Sequence, residues 1–249
     1  MLLHLCTWPE VETYLARSKG VLVPIGSTEQ HGPSGVIGTD AICAEAIARG
    51  AGEAAGALVG PTIAIGMAQH HMAFAGTMTL RPETLLAVLV DLLGSLARHG
   101  FRHCFVVNGH GGNMATLMTA FSEVYARSSL GLTAGPATLR CRLRNWWSPP
   151  AVTALQKELF GDGDGSHATA SEISLTAYTL PDSVRPALLD PKVAPPGRGF
   201  TDAEDFKRRH PDGRIGSDPS LVSAAAGERL FQAAVEGLAE EYRSFLDDD

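Results

Sequence analysis

Basic residues are scarce in this chain: 20 Lys and Arg stand against 27 Asp and Glu, a formal net charge of −7. That balance argues against a nucleic-acid partner, which requires a basic face. Long apolar runs are missing as well. No stretch is long enough to cross a bilayer, so no membrane partner is expected. The opening Met1-Leu2-Leu3-His4-Leu5-Cys6-Thr7 lacks the basic start of a secretory signal and soon turns polar. Cysteine is sparse. Cys6, Cys43, Cys104 and Cys141 have no paired spacing, which points to reduced, buried thiols in a cytoplasmic protein and not to a disulfide frame. No internal repeat is visible. A hydrophobic share of 45% over 249 residues is that of a globular α/β chain, read here as a single domain, 1–249.

What the chain does have is three short segments rich in metal-ligand chemistry. In the first, Gly26-Ser27-Thr28-Glu29-Gln30-His31-Gly32-Pro33 follows the apolar run 21–25, and Asp40 lies nine residues after His31. Glu29 and His31 are two apart, so an extended backbone points both to one side. Carboxylates and imidazoles are the ligands of divalent ions such as Zn²⁺ or Mn²⁺. The alternative is an exposed polar loop. In the second, the apolar run 101–107 leads into Asn108-Gly109-His110-Gly111-Gly112-Asn113. Again an imidazole stands just past a strand, where open α/β sheets form their sites. Glu29, His31 and His110 are therefore expected on one rim. The third segment is Gly161-Asp162-Gly163-Asp164-Gly165-Ser166-His167-Ala168-Thr169-Ala170-Ser171-Glu172. Thr169 and Glu172 fit a capping box that opens a helix, so Glu172 is either a cap or a ligand. His167 must approach from the loop before that helix.

Strands and helices alternate along the chain. Helices are expected from Thr7-Trp8-Pro9 to about Gly20, over 39–53, 83–99, 113–126 and 221–245. Strands are expected over 21–25, 57–59, 63–65, 101–107 and 137–141. Such alternation implies a mainly parallel sheet with helices on both faces. The segment 185–198, with Pro186, Pro191, Pro195 and Pro196, reads as an ordered surface loop or a subunit-contact arm, with disorder as the alternative. Asp247-Asp248-Asp249 reads as a frayed acidic tail.

Taken together, Ser-Thr-Glu-Gln-His-Gly-Pro with Asp40, Asn-Gly-His-Gly-Gly-Asn and His-Ala-x-x-x-Glu resemble the creatininase (creatinine amidohydrolase) family, in family order, from about Pro24 to Ala177. The resemblance implies a three-layer α/β/α sandwich, a dinuclear metal amidohydrolase and a homo-oligomer, often a hexamer. It assigns Glu29 and His110 to one ion, His31 and Glu172 to the other, and Asp40 to both. The segment His71-Met72-Ala73-Phe74-Ala75-Gly76-Thr77 is similar to a family pocket segment in which Pro usually stands at the place of Ala75, and this makes His71 a substrate-binding candidate.

There are departures. Creatininase itself has Tyr and then a metal-binding Glu after the His of the second motif, where Gly111 and Gly112 stand here. Glu172 would then supply the missing carboxylate, as in a Gly-Gly branch of the family. A Trp four residues before the third-motif His is replaced by Gly163, leaving Trp146 and Trp147 as candidates for a substrate lid.

Charge fits this reading: two divalent ions bring four positive charges, met by Glu29, Asp40, Glu172 and one hydroxide. His167 is the candidate for moving a proton to the leaving nitrogen, with Glu172 beside it. The expected activity is hydrolysis of a C–N bond in a small amide, cyclic ones included, with creatinine not the preferred substrate. The alternatives are a formamide hydrolase, a short-peptide peptidase, or a non-catalytic binding protein stabilised by metal.

Overall fold

The computed structural model describes residues 1–132, 139–185 and 187–247. In chain order it contains α1 (Trp8–Arg17), β1 (Gly20–Ile25), α2 (Thr39–Ala55), β2 (Leu58–Val59), α3 (Pro82–Arg98) and β3 (His103–Asn108). Then follow α4 (Met114–Ser129), β4 (Arg140–Asn145), α5 (Pro150–Phe160), α6 (Ala170–Thr179), α7 (Ala203–Arg209) and α8 (Ala224–Asp247). The four strands form one parallel sheet in the order β2-β1-β3-β4. All four carboxyl ends therefore lie on the same edge.

Alternate residues of the central strands feed two cores. Leu22, Phe105 and Val107 pack with Ile47 of α2, Val152 of α5, Leu175 of α6, and Leu230 and Leu238 of α8. Val21, Ile25, Cys104 and Val106 face the other way, onto Tyr14 of α1, Leu85, Leu89 and Leu93 of α3, and Leu117 and Phe121 of α4. A strand buried on both faces must be apolar nearly throughout, as β1 and β3 are. The result is the expected α/β/α sandwich. Local signals set the helix ends. Glu10 accepts from the Thr7 backbone N–H at 2.6 Å and Pro9 opens α1. The Gly56 N–H, in the left-handed region at φ 65°, closes α2.

Several elements differ from the sequence expectation. Ile63-Ala64-Ile65 is no strand: Ile63 makes a single bridge to Ile25. Residues 137 and 138 of the last expected strand, 137–141, lie outside the described residues, and the strand itself runs on to Asn145. Its alternating arginines disguise it. On an edge strand they are tolerated because Arg142 lies over the Phe245 ring, 4.4 Å from its centroid, and Arg144 pairs with Glu241. Helix α5 opens at Pro150, directly after Pro149. The pair looks like a breaker, but proline suits the first helical turn. Helix α7, also unexpected, is seven residues long, too short for a clear apolar period.

The proline-rich segment is tied down. The Arg185 N–H donates to the Ser34 carbonyl at 2.9 Å and the Ala194 N–H to the Ser217 carbonyl at 3.0 Å. The buried Arg214 guanidinium donates to the carbonyls of Pro191 and Lys192, each at 2.8 Å. Pro186, Asp248 and Asp249 fall outside the described residues. Among the described residues, no helix is long and apolar enough to cross a membrane.

Candidate metal centre

Three strand ends and two helix starts converge at the carboxyl edge of the sheet. The segment after β1 carries Glu29 and His31, the turn after β3 carries His110, and Trp146 and Trp147 follow β4. Asp40 sits in the first turn of α2 and Glu172 in the first turn of α6. Negative side chains are favoured there by the exposed N–H groups and the helix dipole. Gly109 makes the convergence possible, because a Cβ at that position would stand 2.2 Å from the Asp40 carbonyl oxygen. The His110 turn is further held by Asn108 and Asn113. Asn108 Nδ2 donates to the His110 carbonyl at 2.7 Å, and Asn113 Nδ2 donates to the Gly26 carbonyl at 2.9 Å.

The donor atoms form two groups that share Asp40: Glu29, Asp40 and His110, and His31, Asp40 and Glu172. Within each group the candidate ligand atoms lie within 4.8 Å of one another. His31 Nε2 is 3.0 Å from Asp40 Oδ1 and 3.7 Å from Glu172 Oε1. His110 Nδ1 is 3.0 Å from Asp40 Oδ2, and its Nε2 is 3.2 Å from Glu29 Oε2. The other nitrogen of His31, Nδ1, contacts the Glu29 carbonyl at 3.1 Å, and His110 Nε2 contacts the Met67 carbonyl at 2.9 Å. Such outer bonds fix the tautomer and aim the free nitrogen inward. A third group, Glu29, His31 and His167, overlaps the first two.

The charges in this cluster are strongly coupled. Burial disfavours a charged His31, but Asp40, Glu172 and Glu29 outweigh it and push its pKa up to about 10. His110 is raised to about 9 in the same way, burial being overcome by Glu29 and Asp40. Burial also opposes the Asp40 carboxylate, yet His31 and His110 hold it below the ordinary range. Burial dominates at Glu172 and raises it. Burial, with His71 and His31 nearby, keeps His167 well below the usual imidazole value, so it is neutral.

Glu172 is also the cap the sequence suggested. Its N–H donates to Thr169 Oγ1 at 3.2 Å, while its Oε1 accepts from the Thr169 N–H. The two readings of this residue are therefore compatible in space. Ala168, between His167 and Thr169, sits at φ 51°, an uncommon conformation that turns the chain between the loop and α6.

A cavity of about 320 Å³ opens onto Asp40, His110 and Glu172. Trp146, Trp147, His167, Gln156 and Asp164 complete much of its wall. Trp146 is buried and meets Trp147 edge to face at 5.7 Å. His71 is not in that wall. It lies behind the cluster, stacked on His167 with ring centroids 4.3 Å apart. Ala75 is exposed and away from the cavity, and a Cβ on Gly163 would meet Leu221, not the cavity. A Cβ on Gly112 would stand 2.4 Å from His110 Nε2, so no side chain fits there. At Gly111 the space is open.

The sequence reading passed over Gln30, which contacts both His71 and His167, and over Asp164 and Gln156 in the cavity wall. Gln30 had one signal, its place between Glu29 and His31. Asp164 and Ser171 are paired in space, the Ser171 N–H donating to Asp164 at 2.8 Å, but a seven-residue gap announces nothing.

An α/β sandwich whose strand ends gather carboxylates, imidazoles and an adjoining cavity has the architecture of a hydrolase with a candidate metal centre. The family model for creatininase, described as creatinine amidohydrolase, matches residues 4–242, and the chain belongs to the creatininase family of hydrolases. A mycofactocin precursor peptide peptidase of Mycolicibacterium smegmatis is 33% identical over 241 residues, covering 92% of this chain and 86% of that one. The creatinine amidohydrolase of Pseudomonas putida is 28% identical over 250 residues, 95% of this chain and 94% of that one. Among solved structures, one named Creatininase Mn superimposes with a TM-score of 0.85 at 27% identity, covering 98% of each chain.

Proposed function

We propose that this chain is a dinuclear metal-dependent amidohydrolase that cleaves a C–N bond of a small amide, cyclic ones included. The observation that carries the reading is the pair of donor groups joined at Asp40 on the wall of a cavity. Glu29 and His110 would hold one divalent ion, His31 and Glu172 the other, and Asp40 would serve both. The residues fit such ions. Both carboxylate oxygens of Glu29, and Oδ2 of Asp40, are buried with no aligned hydrogen bond. Buried carboxylate oxygens left in this way are costly unless a cation meets them. Carboxylate and imidazole donors suit Zn²⁺ or Mn²⁺.

When bound, divalent ions polarise an amide carbonyl and lower the pKa of water to near neutrality. The chain's own residues supply the rest. His167 Nε2 donates to the Gln30 carbonyl at 2.9 Å, which leaves Nδ1 as the basic nitrogen, 3.7 Å from Glu29 Oε1. An imidazole with that nitrogen free could accept the proton that the attacking water gives up and pass it from Nδ1 to the leaving nitrogen. Glu172 lines the same wall and has one charge to share between cap and centre. Trp146 and Trp147 line the same cavity and would fix the orientation of the substrate there.

A short peptide is the second reading. The 33% identity to a peptide peptidase and the open wall at Gly111 favour it. A metal-stabilised binding protein is disfavoured because a structural site is closed by protein ligands, whereas this cluster borders a cavity. The reading also places the chain in the cytoplasm as a homo-oligomer, a hexamer, which light scattering on the purified protein checks. The main experiment is metal analysis of the purified protein with hydrolysis assays on lactams, formamides and short peptides. Two zinc or manganese ions per chain and a chelator-sensitive activity are expected. A protein without metal, or hydrolysis that persists in chelator, would overturn the proposal.

A further inference from the structure

His71 and Gln30 form a hydrogen-bonding chain behind the cluster whose proton positions follow from accounting. Gln30 Oε1 accepts from the Gly32 N–H at 2.8 Å, which fixes the amide orientation and makes the other atom the NH₂ group. That NH₂ has two hydrogens and three neighbours: the Gly213 carbonyl at 3.0 Å, His71 Nδ1 at 2.9 Å and His167 Nε2 at 2.8 Å. The Gly213 carbonyl can only accept, so it takes one. His167 Nε2 faces the Gln30 carbonyl oxygen at 2.9 Å, which also can only accept, so this nitrogen carries its own hydrogen and cannot accept another. The second hydrogen of Gln30 therefore goes to His71 Nδ1. The neutral His71 ring then carries its hydrogen on Nε2. That atom lies 3.2 Å from Glu29 Oε1, while Glu29 Oε2 faces His110.

The surroundings are shaped for this arrangement. His71 is 1% exposed and held between the His167 ring and the edge of Phe206. Gly213 is at φ 84°, and a Cβ there would stand 1.9 Å from Gln30 Oε1, so only glycine leaves room for the amide. The neighbouring Arg214, fully buried, ties that turn to Asp212 and to two carbonyls of the proline-rich segment.

We infer that His71 is a positioning residue for Glu29, with Gln30 setting its tautomer, and not a group that touches substrate. The inference rests on the proposal that Glu29 binds a metal ion. In that setting the His71 Nε2–H lies 3.2 Å from one carboxylate oxygen, in ion-pair range though not aligned as a hydrogen bond, and holds the orientation of the carboxylate toward the ion, as outer partners of metal ligands do.

The test uses zinc itself as the probe, on the full chain. His71→Leu removes the donor, His71→Gln keeps an amide N–H at the Nε2 position, and Gln30→Leu removes the group that sets the tautomer. Zinc affinity is measured by competition, with folding checked by circular dichroism. Imidazole ¹⁵N shifts report the His71 tautomer in the zinc-loaded wild type and in Gln30→Leu. His71→Leu is expected to weaken one zinc site by about tenfold or more, and His71→Gln to restore most of it. In the wild type the His71 hydrogen is expected on Nε2, and Gln30→Leu is expected to disturb that state. Unchanged zinc affinity in His71→Leu, or a wild-type His71 with its hydrogen on Nδ1, overturns the inference. Should His71→Leu fail to fold, a Gln30→Leu protein with wild-type tautomer and zinc affinity overturns it equally. Glu29→Ala separates the two levels. If that variant keeps both zinc ions, the metal reading of Glu29 is wrong. If it loses one while His71→Leu loses none, only the positioning role is.

Discussion

Replacing Glu172 with Gln separates two roles that one side chain holds. As a cap, Glu172 accepts from the Thr169 N–H, and a glutamine oxygen can do the same. A complete cap is worth about 1 kcal/mol, and a chain of this size loses roughly 2–4 °C in Tm per kcal/mol. Even this small loss is offset, because burial disfavours the charge that glutamine removes. The metal-free variant should therefore melt within a few degrees of wild type. As a ligand, Glu172 supplies a charge that glutamine lacks, and zinc affinity should fall by a hundredfold or so, about 2.8 kcal/mol. At a free zinc concentration one hundred times the wild-type Kd, binding stabilises the wild type by about 2.7 kcal/mol, or roughly 5–11 °C. A variant bound a hundredfold more weakly gains only about 0.4 kcal/mol under the same conditions. Thermal melts with and without zinc, with metal content measured in parallel, read both quantities. Thr169→Ala is the control: it should lose the cap and keep the zinc shift. A Glu172→Gln protein with two zinc ions and the full shift would refute the ligand role.

Asp40→Ala should lose most of both metals and all activity while staying soluble, and two ions per chain in that variant would reject the shared-ligand role. Gly112→Ala places a Cβ 2.4 Å from His110 Nε2 and 2.6 Å from the Met67 carbonyl; overpacking of this kind costs about 1–3 kcal/mol, and a lowered Tm with weakened zinc binding is expected by calorimetry. Creatinine should not give the highest kcat/KM among lactams, formamides and short peptides on zinc- or manganese-loaded protein; a value of about 10⁴ M⁻¹s⁻¹ or more for creatinine, above all others, would contradict this.

The two strands at the centre of the sheet and the segments after them were legible because burial on both faces forces an unbroken apolar run. The runs before Gly26 and Asn108 left no other choice, and the strand-end rule then brought Glu29, His31 and His110 to one rim without any helix being placed. Asp40 and Glu172 were harder. Their approach depends on how the first turns of α2 and α6 pack over the sheet edge, and the glycine that permits this, Gly109, reads locally as a turn residue. Strand β4 was misplaced because an edge strand need not be apolar, and its arginines rest on Phe245 and Glu241 from α8, far away in sequence. The wall was least legible. Asp164, Gln156 and Trp147 meet only through the folding of α5 back onto the loop before α6, and no local pattern encodes that meeting.

The shape of that wall constrains what a substrate can be. Pockets that enclose a whole small ligand run from about 300 to 1,000 Å³, and this cavity, at about 320 Å³, lies at the bottom of that range. It holds one compact amide, or the end of a chain, beside Asp40, His110 and Glu172. It cannot enclose a peptide of several residues. The two readings therefore share a requirement: the bond that is cut lies within a residue or so of the buried end. What divides them is whether anything extends past the cavity, and among the described residues the only wall position with both a missing side chain and open space above it is Gly111. A compact amide is indifferent to a side chain at Gly111 that stays clear of the cluster. A peptide that leaves across that gap is not, and Gly111→Leu should raise KM for short peptides while sparing lactams and formamides. Equal effects on both classes would mean that the substrate is held wholly inside.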